Sequence, residues 1–315
     1  MDKRKSKILV VIDGSYWLYV TLFSAISDFQ RRYPAEASVW IKDAELVDQK
    51  NLPDLTLCET FKKVLKKTVM KKCEAIDWML KDNFQDEIDT ADGIDFVFAQ
   101  DDKVSNSFRK KLFPEYKATR RLKKKSYDTY KVQRYIVEVL FKDLKIEEKY
   151  SYHLIKVSNA EGDDVIATIF REFGKEYMLN VLFASDRDFV QLDNVVQLTM
   201  QGKLVECKLA DEEVSHKDYL LGKIILGDGS DNIAKVFPKV GEKRALALLH
   251  DKAALRKRLK ESQSATDQYE LNKKLISFDE IPNDLAATIR DAAVKSLYKE
   301  EAMNDDVDFK DFMML

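Results

Sequence analysis

The feature that most constrains the fold of this chain is the alternation of short apolar segments with amphipathic ones. Lys7–Asp13 contains the unbroken aliphatic run Ile8-Leu9-Val10-Val11-Ile12, which is typical of a strand buried on both faces. Three later segments have the same character, namely 94–100, 152–157 and 178–185. Segments with helical periodicity lie between and around them, namely 16–29, 56–84, 127–141 and 162–173. Strands that alternate with helices form a mainly parallel sheet with right-handed crossovers, so the sequence predicts an α/β fold with helices flanking a central parallel sheet.

The remaining segments divide the chain into three parts. A smaller pair of strands is expected near an edge, over 195–199 and 204–207, and residues 30–55 are expected to form a loop or an insertion. From Asp211 onward the pattern is helical almost throughout, over 212–226, 242–250, 252–262, 266–276 and 284–299. We therefore predict an α/β domain over 1–210, an all-helical domain over 211–300, and an acidic, hydrophobic tail over 301–315.

Acidic side chains follow the ends of the four main predicted strands. They are Asp13, Asp101, Asp102, Glu161, Asp163, Asp164, Asp186 and Asp188, and a glycine-containing turn adds Asp228 and Asp231. The carboxyl ends of parallel strands meet at one edge of a sheet, so we expect these side chains to lie close together. Taken singly, each acid has an ordinary alternative as a helix cap, a charge at a helix N-terminus, or a turn residue.

Carboxylates that converge without basic partners repel one another strongly, and a divalent cation relieves that repulsion. Oxygen ligands without spaced His or Cys favour Mg²⁺ or Mn²⁺ over zinc. Two such ions suit phosphodiester hydrolysis, because one lowers the pKa of an attacking water and the other stabilises the leaving oxygen. The acids therefore predict a two-metal hydrolase.

Basic residues are concentrated as strongly as the acids. Residues 103–125 contain ten Lys or Arg and a single acid, Glu115, with Phe108, Phe113 and Tyr116 among them. This pattern favours contact with phosphates over a solvated surface. A second run fits a solvated helix face and a phosphate-binding face equally well; it consists of Lys62, Lys63, Lys66, Lys67, Lys71 and Lys72. The formal net charge of −2 is therefore a cancellation and does not exclude a polyanionic partner.

Other classes of function are poorly supported. Gly241-Glu242-Lys243-Arg244 lacks the earlier glycine of an ATPase phosphate-binding loop. A phosphatase with Asp13 as its nucleophile needs a second Asp where Ser15 stands. The apolar runs are too short to span a bilayer, and no signal peptide is expected. The three cysteines are scattered, which fits a reducing compartment such as the cytoplasm. We also expect a monomer without membrane association.

Several motifs, in order along the chain, resemble the 5′ nuclease, or flap endonuclease, superfamily, and look most like bacteriophage T-even-type ribonuclease H. Residues 8–15 resemble the opening strand of that superfamily, and 107–120 resemble its arch motif, Phe-Arg…Tyr-Lys-x-x-Arg. Three acidic segments match Glu-x-Asp-Asp-x-Ile-Ala, Asp-x-Asp-x-x-Gln-Leu and Gly-Asp-x-x-Asp-Asn-Ile; they are 161–167, 185–192 and 227–233. Residues 240–245 resemble the DNA-binding helical hairpin. The resemblance implies a helical arch at about 103–135, a hairpin at about 228–250, and the host-cell cytoplasm as the compartment of a phage-encoded chain.

The resemblance also implies the ligands of two Mg²⁺ (or Mn²⁺) ions. The first ion would take Asp13, Glu161, Asp163, Asp186 and one of Asp101 and Asp102, with Asp164 in the same motif. The second ion would take Asp188, Asp228 and Asp231, directly or through waters. The spacing to Arg109 selects Asp101 in the phage ribonuclease H pattern and Asp102 in relatives with one residue fewer. Asp101 is the expected ligand.

Contacts with nucleic acid are implied in the same way. Lys117, Arg109 and Asp186 form the expected catalytic set, with Lys117 stabilising developing negative charge. Tyr116 is expected to stack on a base, and Arg109, Lys117 and Arg120 to contact phosphates. The wider nucleic-acid-binding set adds Lys110, Arg121, Lys239, Gly241 and Lys243. The chain departs from the family pattern in the hairpin, where the usual Gly-Ile-Gly is replaced by Lys239-Val240-Gly241. A lysine therefore occupies the position of the first glycine, which in the family pattern allows the protein backbone to approach a phosphate closely.

The implied function is that of a structure-specific 5′ nuclease. It would hydrolyse RNA/DNA hybrids and duplex or flap DNA in the 5′→3′ direction, removing RNA primers in lagging-strand replication. The alternative is a non-catalytic DNA-binding protein on the same fold. In the tail, Phe309, Phe312 and Met313 have helical spacing, which fits either a helix docked on the core or an anchor for a sliding clamp or single-strand-binding protein.

Overall fold

A five-stranded parallel sheet forms the centre of the protein. The structure is a computed structural model that describes residues 4–102, 107–118, 124–146 and 152–298. The strands are β1 (Lys7–Asp13), β2 (Gly93–Gln100), β3 (Tyr152–Lys156), β4 (Leu179–Phe183) and β5 (Val196–Leu198). Their order across the sheet is β3-β2-β1-β4-β5, and every neighbouring pair is parallel. The α/β fold predicted from the alternation of segments is confirmed.

Helices cover both faces of this sheet. The helices of the first half are α1 (Gly14–Arg32), α2 (Pro34–Trp40), α3 (Glu59–Thr90), α4 (Phe108–Leu112) and α5 (Thr129–Tyr135), which continues through a π-helical turn over Ile136–Leu140 and a helical turn over Phe141–Asp143. Those of the second half are α6 (Gly162–Phe173), α7 (His216–Leu226), α8 (Glu242–His250), α9 (Lys252–Lys260), α10 (Gln263–Ile276) and α11 (Asn283–Leu297). None of the helices in the described ranges is long and apolar enough to cross a membrane.

Strand β1 explains why the sheet is buried on both sides. Successive side chains of a strand point to opposite faces, and all five residues of the aliphatic run are buried. Ile8, Val10 and Ile12 pack in the cluster that includes α1 and α3, whereas Leu9 and Val11 pack in the cluster that includes α6 and α11. A strand with two apolar faces can only occupy the middle of a covered sheet, which is where β1 lies.

The structure differs from the sequence-based expectation in three places. Residues 30–55 contain helix α2 and the short 3₁₀ turn Ala44–Leu46 in addition to loop. Residues 204–207 make one bridge to Leu198 and no strand. The segment 212–226 begins as a two-residue hairpin strand, β7 (Glu212–Glu213), paired with β6 (Lys208–Leu209), and helix α7 starts only after its N-cap, Ser215. Such short elements have too few residues to show a period.

The helical second half is arranged in two parts. Helices α7 to α9 share an apolar cluster built around Ile225, Val240 and Leu249. Helix α11 packs instead on the sheet side, with α6 and β3. The predicted domain limits stay predictions, and the tail over 301–315 lies outside the described residues.

Candidate active site

The carboxyl ends of β1, β2 and β4 bring acids to one edge of the sheet. Asp13 ends β1 and caps α1, where its carboxylate accepts a hydrogen bond from the Tyr16 amide at 2.9 Å. Burial, together with the negative charges of Asp101 and Asp186, raises the pKa of Asp13 to about 7. The influence of the other two carboxylates on Asp13 places all three, from three strand ends, in one electrostatic environment.

Helix α6 supplies a fourth acid to this group. Burial raises the pKa of Asp163 well above its usual range, and the charges of Asp13, Asp186 and Asp101 add to the effect. Asp163 lies in the first turn of α6, so the helix places it at the same edge. We call Asp13, Asp101, Asp163 and Asp186 the edge carboxylates.

Asp101 and Asp102 occupy different surroundings. The Asp101 carboxylate accepts a hydrogen bond from the Gly162 amide at 2.5 Å, at the start of α6, and acts electrostatically on Asp13 and Asp163. Asp102 accepts from the Asn159 amide at 3.0 Å and lies 3.8 Å from the Lys156 ammonium. The geometry therefore favours Asp101 over Asp102 as the member of the acidic cluster.

Glu161, at the N-terminus of α6, contacts the segment that is expected to form the arch. Its carboxylate forms an ion pair with the Lys117 ammonium, which is also 3.9 Å from Asp231. Although burial acts to raise it, Lys117 and Arg109 hold the pKa of Glu161 below its usual range. The second carboxylate oxygen, Oε1, is buried and lies 3.7 Å from the Arg109 guanidinium. Lys117 is thus placed among acids, and its role in stabilising developing negative charge stays a prediction.

Arg109 and Asp164 form a buried ion pair, which differs from the roles expected for them. The Arg109 guanidinium lies 2.6 Å from Asp164, and its Nε donates to the Leu275 carbonyl at 2.8 Å. Asp164 is fully buried and accepts from the Glu161 amide at 3.1 Å, closing the capping box of α6. Because both charged groups are satisfied inside the protein, this arrangement leaves neither side chain facing a phosphate or a metal ion.

Tyr116 also differs from its expected role. Its ring is buried in an apolar cluster with Ile224, Ile233 and Leu275, and its hydroxyl donates to Glu161 at 3.3 Å. A ring enclosed in this way has no free face on which a base could stack. Tyr116 instead joins the first half of the expected arch to helices α7 and α10.

A second group of acids is joined by a lysine that sequence reasoning missed. The Lys223 ammonium lies 2.7 Å from Asp188 and 3.1 Å from Asp228. Burial acts to lower the pKa of Lys223, but the two carboxylates raise it overall. The available sequence signal was one of the two lysines of α7, five residues before Asp228.

The carboxylates described above are suitable ligands for a hard divalent cation, and two lysines lie among them. Every candidate ligand is a carboxylate, and the pKa values of Asp13 and Asp163 are raised mainly by burial and also by the neighbouring carboxylates, whose repulsion a cation would relieve. Among the residues that the structure describes, no three Asp, Glu, His or Cys side chains converge into a ready-made ligand set. The ammonium groups of Lys117 and Lys223 lie between the acids instead, so positive charge already partly offsets the cluster.

The remaining candidates for nucleic-acid contact are spread over two surfaces. Lys110 donates to the Tyr116 carbonyl at 2.8 Å, whereas Arg120 and Arg121 lie outside the described residues. Lys239 and Lys243 are exposed, beside Gly241 at the start of α8. Lys239 has a φ of 59°, so it adopts the left-handed conformation that glycine favours. The backbone turn is therefore present although a lysine occupies the position of the glycine in the family pattern.

The second basic run lies on α3. Lys63, Lys66, Lys67 and Lys71 are exposed along this helix. Lys62 forms an ion pair with Glu59 one turn earlier, at 2.5 Å. The run is therefore a solvent-facing cationic surface, open to both interpretations drawn from the sequence.

Comparison with known proteins gives consistent matches. Residues 64–219 match the family described as 5′-3′ exonuclease, N-terminal resolvase-like domain. The chain is 29% identical to a 5′-3′ exonuclease of Buchnera aphidicola, over 59% of this chain and 63% of that protein. It is 31% identical to ribonuclease H of Enterobacteria phage T4, over 44% of this chain and 50% of that protein. The chain thus spans less than two thirds of the length of these curated relatives.

A solved structure has the same fold. The bacteriophage T5 flap endonuclease, in a complex with DNA and metal ions, is matched with a TM-score of 0.51 at 15% identity. The match covers 92% of this chain and 99% of that one. At this level of identity the likeness concerns the fold.

Proposed function

We propose that this chain, whose residues 64–219 match the 5′-3′ exonuclease family, is a metal-dependent, structure-specific 5′ nuclease. Its substrates would be RNA/DNA hybrids and duplex or flap DNA with free 5′ ends, hydrolysed in the 5′→3′ direction. The observation that carries the proposal is the group of edge carboxylates, which come from three strand ends and one helix and together raise the pKa values of Asp13 and Asp163. The names of the relatives support the same chemistry.

The proposed metal centre uses the acids in two groups. The edge carboxylates and Glu161 would hold the first Mg²⁺ or Mn²⁺, and Asp188, Asp228 and Asp231 would hold the second. Bound divalent ions in such a centre supply an activated water and stabilise the leaving oxygen of the phosphodiester.

The chain's own cations would orient the phosphate. Lys117 is held beside Glu161 and Asp231, so its ammonium can move over a short distance to a phosphate at the edge carboxylates. Lys110 lies on the same segment, and Lys239 and Lys243 would contact a duplex at the start of α8. Contacts of these groups with the phosphate backbone of the nucleic acid would not depend on the base sequence, as suits an enzyme that recognises structure. Removal of RNA primers during DNA replication is the biological role that we propose.

Metal dependence separates this proposal from a non-catalytic DNA-binding protein. We expect cleavage of a 5′-flap duplex to need Mg²⁺ or Mn²⁺ and to stop in EDTA, because the water is activated only at the metal centre. Binding of the same substrate, measured by fluorescence anisotropy in EDTA, should persist through the lysines. Binding without cleavage at any Mg²⁺ or Mn²⁺ concentration would support the non-catalytic alternative instead.

The tail, which lies outside the described residues, is proposed as an anchor for a sliding clamp or a single-strand-binding protein. Deleting residues 305–315 is expected to leave cleavage by the isolated protein unchanged and to weaken its binding to that partner. Cleavage rates and partner affinity by surface plasmon resonance test this. A loss of thermal stability in the deleted protein would assign the tail to the core.

A further inference from the structure

The turn that carries Asp228 and Asp231 is unusually tight. Gly227 has a φ of 64°, and a Cβ built on it would lie 2.4 Å from the Ala234 carbonyl oxygen. The backbones of Asp228 and Ile233 exchange two hydrogen bonds, at 3.0 and 2.7 Å. The two ends of the turn therefore lie together beside Gly227, and we call this point, where the backbones of Asp228 and Ile233 pair, the neck of the turn. The positions of the Asp228 and Asp231 carboxylates depend on the contacts that hold the neck.

One side chain from a distant helix holds that neck. Asn272, in the middle of α10, is fully buried. Its Nδ2 donates to the carbonyl of Ile224, before the turn, at 2.8 Å, and to that of Ala234, after the turn, at 2.7 Å. Its Oδ1 accepts from Gln268 Nε2 at 2.7 Å, one turn earlier in α10. Both amide hydrogens are used, and only an amide donates twice from one atom while accepting at the other.

The far side of the turn contacts the expected arch. The Lys117 amide donates to the Asp231 carbonyl at 2.9 Å, and Asn232 Nδ2 donates to the Glu115 carbonyl at 3.1 Å. The turn thus lies between α10 on one side and residues 113–118 on the other. Its acids are placed by these backbone contacts, so a change at the neck shifts them relative to Asp188.

We propose that Asn272 is a positioning residue for the second metal ion, acting through the turn that presents Asp228 and Asp231. This inference rests on the proposed function, because it assigns those two carboxylates to a metal ion. Asn272 lies outside the acidic motifs, and it reaches the segments on either side of the turn through its hydrogen bonds to the two carbonyls.

The chain offers a matched control. Asn180, near the start of β4, is also buried, and its Nδ2 donates to the carbonyls of Gly174 and Asn194 at 3.0 and 3.1 Å. It therefore bridges two backbone segments in the same manner, but at the opposite end of the strand from Asp186. Asn180→Leu removes two hydrogen bonds and Asn272→Leu removes three, so both are expected to lower the melting temperature.

The test is Mn²⁺ binding by the full chain, measured by electron paramagnetic resonance without substrate. We expect Asn272→Leu to weaken the second Mn²⁺ at least tenfold and to leave the first within twofold, whereas Asn180→Leu changes neither. Gln268→Met, which removes only the support of the amide, should weaken the second ion by a smaller factor and provides the test if Asn272→Leu does not fold. Equal Mn²⁺ binding by the wild type and the Asn272 or Gln268 variants would overturn this inference alone. A wild-type protein that binds no Mn²⁺ would overturn the proposed function with it.

Discussion

Replacing Asp186 by asparagine is expected to lower kcat for cleavage of a 5′-flap duplex by at least about 10²-fold. Loss of an outer-shell partner of a metal ligand commonly costs 10- to 100-fold, and a ligand's own charge matters more. The fold should survive, because Asp186 caps a 3₁₀ turn by accepting from the Asp188 amide at 2.8 Å, and asparagine caps equally well. The loss should therefore appear in the chemistry while the melting temperature stays near that of the wild type.

The control for this experiment is Asp193→Asn. Asp193 is an exposed acid seven residues further along the chain, and its replacement makes the same chemical change outside the acidic cluster. Single-turnover rates for the two variants, with saturating Mg²⁺, compare them directly. Cleavage by Asp186→Asn at the wild-type rate would contradict the assignment of Asp186 to the metal centre.

The second large effect concerns stability. Arg109→Met is expected to lower the free energy of unfolding by about 3–5 kcal/mol, because it leaves the buried Asp164 carboxylate without its partner. Replacing both residues, as Arg109→Met with Asp164→Leu, should restore part of this loss, since the Asp164 carboxylate is then no longer buried without its partner. Urea unfolding of the two single variants and the double variant measures the coupling between them.

Lys111→Met is the matched control for Arg109→Met. Lys111 lies on the same short helix, two residues away, but it is exposed, so its loss should change the free energy of unfolding by less than about 0.5 kcal/mol. If Arg109 faced phosphates instead, its variant would keep the wild-type stability and lose affinity for nucleic acid. That pattern would contradict the buried ion pair and restore the role expected from the sequence.

The strands of the sheet could be predicted from the sequence because their signal is local. The run Ile8-Leu9-Val10-Val11-Ile12 has no polar face, so it could only form a strand in the middle of a covered sheet. Acids that follow such strands must then reach one edge. Helix α2 was missed because residues 34–40 have mixed composition and too few turns to show a helical period.

The roles of Arg109 and Tyr116 could not be predicted, because they depend on contacts far along the chain. The motif places both in a basic, aromatic segment, which is the composition of a phosphate-binding surface. Arg109 and Tyr116 are buried because α7 and α10 pack against that segment. This packing places the Leu275 carbonyl next to Arg109 and the Ile224 side chain next to Tyr116. A sequence pattern reports composition and spacing, and the solvent exposure of this segment depends on the helices packed against it.

Lys223 and Asn272 were missed for a related reason. Each stands alone in an ordinary helical segment, and each acts on residues of another element. Lys223 joins Asp188, from the turn after β4, to Asp228. Asn272 reaches carbonyls 48 and 38 residues earlier. Such contacts leave no periodic signal, so only the folded arrangement identifies them.

The central claim is tested most directly by following the ends of one labelled substrate. A 5′-flap duplex carrying a label on the 5′ end of the flap strand, and a second preparation labelled on its 3′ end, are incubated with the protein and Mg²⁺. Our account predicts that the 5′ label leaves in short products while the 3′-labelled strand shortens from its 5′ side, and that both changes stop in EDTA. Shortening from the 3′ side, or an intact strand with Mg²⁺ and with Mn²⁺, would contradict it.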